Sequence, residues 1–240
     1  MIEMSYEDKL PITQVIVERN LRELGKDVAV AWSGGKDSSV VLHMVWKIYP
    51  EVPVIFNNTG IEYPETIAYI RKMTKLWNLN LIETKPIKSF FQCVDEYGWP
   101  KGKGDRRDGH SSRCCYYLKE RPAQLIYRQL KTKGVFTGTT APENRNRQLH
   151  AVHNGTCYKL VKENWKMIHP ILYWTEADVW QYVKENNLLM NEIYKNADRC
   201  GCSCCTAFLS WESQLSRLNP KLYKMVKERR DKQAVMDGIF

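Results

Sequence analysis

No run in this chain approaches the ~20 consecutive apolar residues that a membrane-spanning helix needs. The opening stretch "MIEMSYEDKLP" lacks the apolar core of a signal peptide. These two absences set the expectation of a cytoplasmic protein with no membrane partner. Internal repeats and low-complexity tracts are also missing, which excludes solenoids and disordered tails as the main architecture. Histidine is sparse, with five scattered residues, so a histidine-based metal site is not expected; His110 alone lies near cysteines.

What remains is a mixed, globular composition. In 240 residues 43% are hydrophobic, enough for the core of one α/β domain with a small appendage. The net charge of +9 suggests an anionic partner, either nucleotide phosphates or nucleic acid. Eight cysteines without a secretory signal do not read as a disulfide framework. They are clustered: Cys114 and Cys115 are adjacent, and Cys200, Cys202, Cys204 and Cys205 fall close together, while Cys93 and Cys157 stand alone in apolar surroundings as small buried hydrophobes.

Periodicity gives the layout. Ile12, Val15, Ile16, Leu21 and Leu24 share a helical face that ends at Gly25. "DVAVAW", "VPVIFNN", "LNLIETKP" and "GVFTGT" read as strands, separated by helices from Ser38 to Tyr49, from Pro64, and from about Cys115 to Lys131. Alternation of this kind predicts an α/β fold: a doubly wound, mostly parallel sheet with helices on both faces and ligands beyond the strands' carboxyl ends. Thr175 and Asp178 form a helix start before "VWQYVKENN", and the basic tail beyond Trp211 is helical with a break at Pro220. The division expected is a nucleotide-binding domain over 1–206 with a helical extension over 207–240. The aperiodic basic segment 97–113, with Lys101, Lys103, Arg106 and Arg107, reads as a loop that closes over a nucleotide or touches nucleic acid.

The segment "AWSGGKDSS" joins the first strand to a helix. Gly34 and Gly35 let backbone N–H groups approach phosphate oxygens, and the helix dipole adds partial positive charge. Lys36 supplies a full charge, Ser33, Ser38 and Ser39 supply hydroxyls, and Asp37 suits a magnesium ion or a helix cap. The string resembles the PP-loop of the N-type ATP pyrophosphatases. Three later segments resemble, in order, the motifs of the phosphoadenylyl-sulfate (adenylyl-sulfate) reductase family within that group. They are "FNNTGIEYPET", "TGTTAPENRNR" and "HPILYWTEADVWQYVKENNLLMNEIY". The resemblance implies an adenine nucleotide alpha hydrolase-like fold that binds ATP with Mg2+. It also implies nucleotide contacts from Thr59, Gly60, Gly138 and Glu143, and catalytic roles for Lys36, Asp37 and Arg147. Two positions depart from the pattern: Asn58 stands where the family usually has Asp, and Thr140 where it usually has Arg, which argues against sulfate recognition of the usual kind.

Cys114-Cys115 with Cys202-x-x-Cys205 resembles the arrangement by which assimilatory adenylyl-sulfate reductases hold a [4Fe–4S] cluster. Four thiolates also suit zinc, although adjacent cysteines are awkward for zinc ligation, and reduced unmetallated thiols are the third reading. Cys200 and Cys204 are left over as a redox or sulfur-carrying couple or as a tight cysteine-rich turn. Arg113, Lys119, Arg121 and Arg145 either face anions at the sheet edge or are solvated charges. No cysteine follows Cys205, where the sulfonucleotide reductases carry their nucleophile. The expectation is therefore an ATP pyrophosphatase that adenylates a substrate for sulfur incorporation, similar to the DNA phosphorothioation members and more distantly to tRNA thiolation enzymes. Its expected partners are a nucleic acid or a sulfur donor such as a cysteine desulfurase, and a second copy in a homodimer. A sulfonucleotide reductase releasing sulfite, or a non-catalytic nucleotide-binding subunit, are the alternatives.

Overall fold

The computed structural model describes residues 4–101, 113–143 and 145–236. Six strands form one sheet in the order β3-β2-β1-β4-β6-β5. They are β1 (Val28–Ala31), β2 (Pro53–Asn57), β3 (Asn80–Thr84), β4 (Gly134–Thr137), β5 (Cys157–Leu160) and β6 (Trp165–Ile168). All pairings are parallel except β5 with β6, where Cys157 faces Ile168 and Leu160 faces Trp165. The doubly wound, mostly parallel sheet read from the sequence is therefore the fold. The β5–β6 pair was not read, because two four-residue strands carry too little alternation to stand out from a loop.

Alternate residues of each strand feed opposite layers. On one face, Val28, Val30, Val54, Phe56, Phe136 and Ile168 pack against α2 (Lys36–Ile48), α3 (Pro64–Leu76) and α8 (Glu176–Glu185). On the other, Ala29, Ile55, Val135 and Trp165 meet Ala123 and Tyr127 of α6 (Arg121–Gln129). The first helix, α1 (Tyr6–Leu24), starts with Ser5 and Asp8 capping each other and ends at Gly25, whose φ of 59° only glycine adopts freely. Thr175 and Asp178 form the same reciprocal cap on α8.

A second, smaller core lies beyond the sheet. It joins Phe90, Cys93 and Val94 of α4 (Phe90–Tyr97) to Leu118, to Cys204, to Trp211 and Leu215 of α9 (Trp211–Leu218), and to Val226 of α10 (Pro220–Met236). The helix expected from Cys115 is not uniform. It opens as α5 (Arg113–Cys115), widens into a π-helical turn over Tyr116–Glu120, and continues as α6. The remaining helix, α7 (Arg145–Asn154), precedes β5. No helix among the described residues is long and apolar enough to cross a membrane.

Candidate nucleotide and cysteine site

The chain winds outward from β1 to β2 and β3, then returns to β4 on the other side of β1. That reversal opens a crevice beyond the carboxyl ends of β1 and β4, the usual ligand position in such sheets. The PP-loop segment leaves β1 into it, with Gly34 at φ 73° and Gly35 capping α2. Gly138 leaves β4 opposite, and a Cβ there would lie 2.4 Å from the backbone N of Ser38. Only glycine permits that approach.

The serines of the loop divide. Ser38 Oγ accepts from Ser33 N–H at 3.2 Å, donates to Gly35 O at 3.0 Å, and sits 3.0 Å from Ser33 Oγ. Ser39 is turned into the core, where its Oγ accepts from Trp32 Nε1 at 2.9 Å and Tyr69 OH at 3.3 Å. Lys36 Nζ lies 3.4 Å from Asp37 and 3.4 Å from Glu176. The Lys36 backbone N–H, which a phosphate would use, donates to Tyr194 OH at 2.9 Å. Tyr194 belongs to a 3-10 turn, Glu192–Lys195, held to the loop by Asn191 Nδ2, which donates to Gly34 O at 3.2 Å.

The cysteine-rich segment threads between this loop and the β2–α3 connection. Cys200 Sγ would lie 2.8 Å from a Cβ on Gly35 and accepts from Tyr194 OH at 3.7 Å. Cys202 Sγ is 3.7 Å from Thr59 Oγ1, which itself donates to Glu62 at 2.7 Å. Ser203 then bonds Ile61 O through both N–H at 2.8 Å and Oγ at 2.9 Å, fixing the segment's height. Cys204 is only 2% exposed, in the second core. Cys200 and Cys204 are thus no couple: one faces the PP-loop, the other is packing. Cys93 is buried as expected, while Cys157 is half-buried and accepts from Asn20 Nδ2 at 3.6 Å.

Cys114 and Cys115 come to the same place from α5. The Cys114 thiol is pushed far up by its hydrogen bond with Cys115, then by burial, then by the thiols of Cys115, Cys205 and Cys202. The four cysteines therefore share one electrostatic neighbourhood, though among the described residues no three His, Cys, Asp or Glu side chains close on a single metal point. The donor set is thiol throughout, which fits soft-metal or Fe–S chemistry. Lys119, left open between an anion-facing and a solvated charge, turns inward. Its ammonium is favoured first by Cys202, then by Glu62 and Cys115, against the cost of burial. A π-helical turn adds a residue to the helical repeat and so rotates the side chains beyond it, a feature with no clear sequence signal.

The other expected positions are also placed. Gly60 has φ 77°, and its N–H donates to Asn58 Oδ1 at 3.0 Å. Asn58 in turn donates to Glu83 at 2.6 Å, a bond that an aspartate could not make. Glu143 and Arg147 form an ion pair across one turn. Thr140 is buried. Lys103, Arg106, Arg107 and His110 lie outside the described residues.

A glycine-rich phosphate loop at the switch point of a parallel sheet, met by a glycine from β4, defines an α/β fold of the PP-loop type. The model of the phosphoadenosine phosphosulfate reductase domain matches residues 27–208, and the chain belongs to that family. A Methanocaldococcus jannaschii protein of uncharacterised function is 31% identical over 82% of this chain, which spans 46% of that protein's length. An adenosine 5'-phosphosulfate reductase of Lysinibacillus sphaericus is 26% identical, over 80% of this chain and 78% of its own. Among solved structures, the phosphoadenylyl-sulfate reductase of Candida auris has a TM-score of 0.59 at 20% identity, covering 84% of this chain and 97% of that one. The U34-tRNA thiolase of Methanococcus maripaludis, with its [4Fe-4S] cluster, has a TM-score of 0.60 at 18% identity, covering 97% and 78%. The structural likenesses establish the fold.

Proposed function

We propose that this chain is an adenylating ATP pyrophosphatase of sulfur metabolism, which activates a nucleic-acid substrate so that sulfur can displace AMP. One observation carries the reading: the cysteine segment 200–206 lies between the PP-loop and the Thr59–Glu62 turn. Sulfur-bearing groups and a phosphate cradle therefore meet in one crevice. On this reading 1–206 is the nucleotide-binding unit and 207–240 an extension, whose helices α9 and α10 supply Trp211, Leu215 and Val226 to the second core.

The loop N–H groups, Ser33, Ser38 and Lys36 bind the β- and γ-phosphates and take up charge on the departing pyrophosphate. Asp37 would hold Mg2+, and Thr59, Gly60, Gly138 and Glu143 line the nucleoside side, with Arg147 facing the α-phosphate. Ser39 reaches a nucleotide only through its backbone. Cys114, Cys115, Cys202 and Cys205 would hold a [4Fe–4S] cluster, with zinc as the alternative, and the cluster would supply sulfur or redox chemistry beside the adenylated atom. Lys119 stands between thiols and phosphates as a fixed cation. The chain works in the cytoplasm, with a cysteine desulfurase as sulfur donor and a second copy as assembly partner.

A second reading is favoured by the Lysinibacillus relative, named as a reductase: release of sulfite from a sulfonucleotide. Anaerobically purified protein separates the two. Pyrophosphate from ATP, stimulated by tRNA or DNA, with no sulfite from either sulfonucleotide plus thioredoxin, is the expected outcome; sulfite would overturn it. Lys36→Ala should lower pyrophosphate release by 100-fold or more, about the effect of removing one preorganised charge from a transition state. Absorbance near ~400 nm distinguishes cluster from zinc.

A further inference from the structure

Beyond the carboxyl end of β3 the chain builds a tyrosine-rich basic ledge beside the cysteines. Tyr97, at the end of α4, and Tyr117, in the π-helical turn, hold their rings parallel within 8° at 5.7 Å, and their hydroxyls are hydrogen-bonded at 3.1 Å. Lys88 Nζ lies over both rings, 5.1 Å from one centroid and 4.6 Å from the other, and the Arg113 guanidinium is 6.0 Å from the Tyr97 centroid. Ile87 N–H donates to Tyr117 O at 3.0 Å and ties the segment before α4 to the π-turn. Lys85, the residue directly after β3, is also exposed. The carboxylate in the network is Glu96, bonded to Lys88 and Tyr97; neighbouring Asp95 is taken by Arg229 of α10.

A half-buried tyrosine, Tyr117, stacked on an exposed one, Tyr97, beside two cations is an unusual way to finish a surface. Tyr97 is 39% exposed, and a folded chain gains little by holding it so. The combination matches what an unpaired polynucleotide presents: π-faces for the rings and phosphates for Lys85, Lys88 and Arg113. Arg113 directly precedes Cys114, so the ledge borders the first cysteine pair.

We infer that this ledge, Tyr97 and Tyr117 with Lys85, Lys88 and Arg113, docks an unpaired loop of a folded RNA as the acceptor of the proposed reaction. RNA is chosen because its loops carry splayed bases on a compact polyanion, whereas duplex DNA keeps its bases stacked within. The inference rests on the adenylating reading, whose acceptor it names.

The experiment uses the full chain without ATP and a fluorescently labelled RNA stem-loop with an unpaired loop, followed by anisotropy at two salt concentrations. Single-stranded DNA, duplex DNA and fully paired RNA serve as competitors. The stem-loop should bind best, and more weakly in higher salt. Tyr97→Ala should weaken binding about tenfold, the scale of one lost stacking contact. Tyr97→Phe, which keeps the ring, should stay within about twofold, and Arg113→Ala should reduce the salt dependence. Equal binding by Tyr97→Ala with unchanged thermal stability, or equal binding of either DNA, would overturn the ledge. Pyrophosphate release measured in parallel keeps the two readings apart. Release without RNA binding sinks the ledge and leaves the adenylating reading standing; RNA binding without release does the reverse.

Discussion

A phosphate must compete for one donor of its own cradle. The Lys36 N–H is engaged by Tyr194 OH, the same hydroxyl that reaches Cys200 Sγ, and burial raises the Tyr194 pKa, so it is a neutral phenol. Tyr194→Phe removes the competitor and leaves the amide without that partner. Ligand-free stability should fall by about 1 kcal/mol, the net worth of one such hydrogen bond. ATP affinity should rise several-fold, because the bond no longer has to be broken. Calorimetric titration and urea unfolding of the same variant check both; a drop in affinity would mean that Tyr194 contributes to the nucleotide site rather than blocking it.

At the scale of elements, a helix interior and a strand end each carry a histidine that burial holds neutral. His43 of α2 pairs through Nδ1 with Tyr182 OH at 2.9 Å and lies near Lys47, and its pKa is pushed down to about 4. His169, after β6, sits 2.6 Å from Thr137 Oγ1 and is pushed down to about 4 by burial, then by His150 and Arg147. Between the ordinary value near ~6.5 and 4, the unfolded chain takes up protons that the folded chain refuses. Stability is therefore full above about pH 6.5, falls as pH drops towards 4, and levels off below, with His169 accounting for at most about 3 kcal/mol. Urea unfolding at pH 7 and pH 5 should show this slope, and His169→Gln should flatten it; an unchanged slope would place the titration elsewhere. The sequence showed neither burial, because a histidine's environment comes from elements far apart in the chain. What was legible were features carried by neighbours in sequence: the four parallel strands, the Thr175 cap and the glycine loop. Lys119 facing Cys202 depends on a π-helical turn, and Cys200 against Gly35 depends on a crossing of two loops, so neither left a local trace.

At the scale of the molecule, the described chain has a sheet core and a second core around Cys204, and the cysteine segment bridges them. Val226 of α10 is fully buried in the second core, whereas β1 and β4 belong to the first. Val226→Ala removes two methyl groups from a packed site, which costs about 1–2 kcal/mol. If the cores open separately, that loss falls on the smaller one, and local opening there becomes about tenfold more frequent per 1.4 kcal/mol. Maleimide labelling of Cys93, which is 1% exposed, and of Cys204 should then accelerate about tenfold. Amide exchange of Ala29 and Val135 in β1 and β4 should keep its wild-type rate over the same interval. Equal acceleration of both would instead make the two cores one cooperative unit. The extension would then be a structural part of the phosphate site rather than a separate layer over the cysteines.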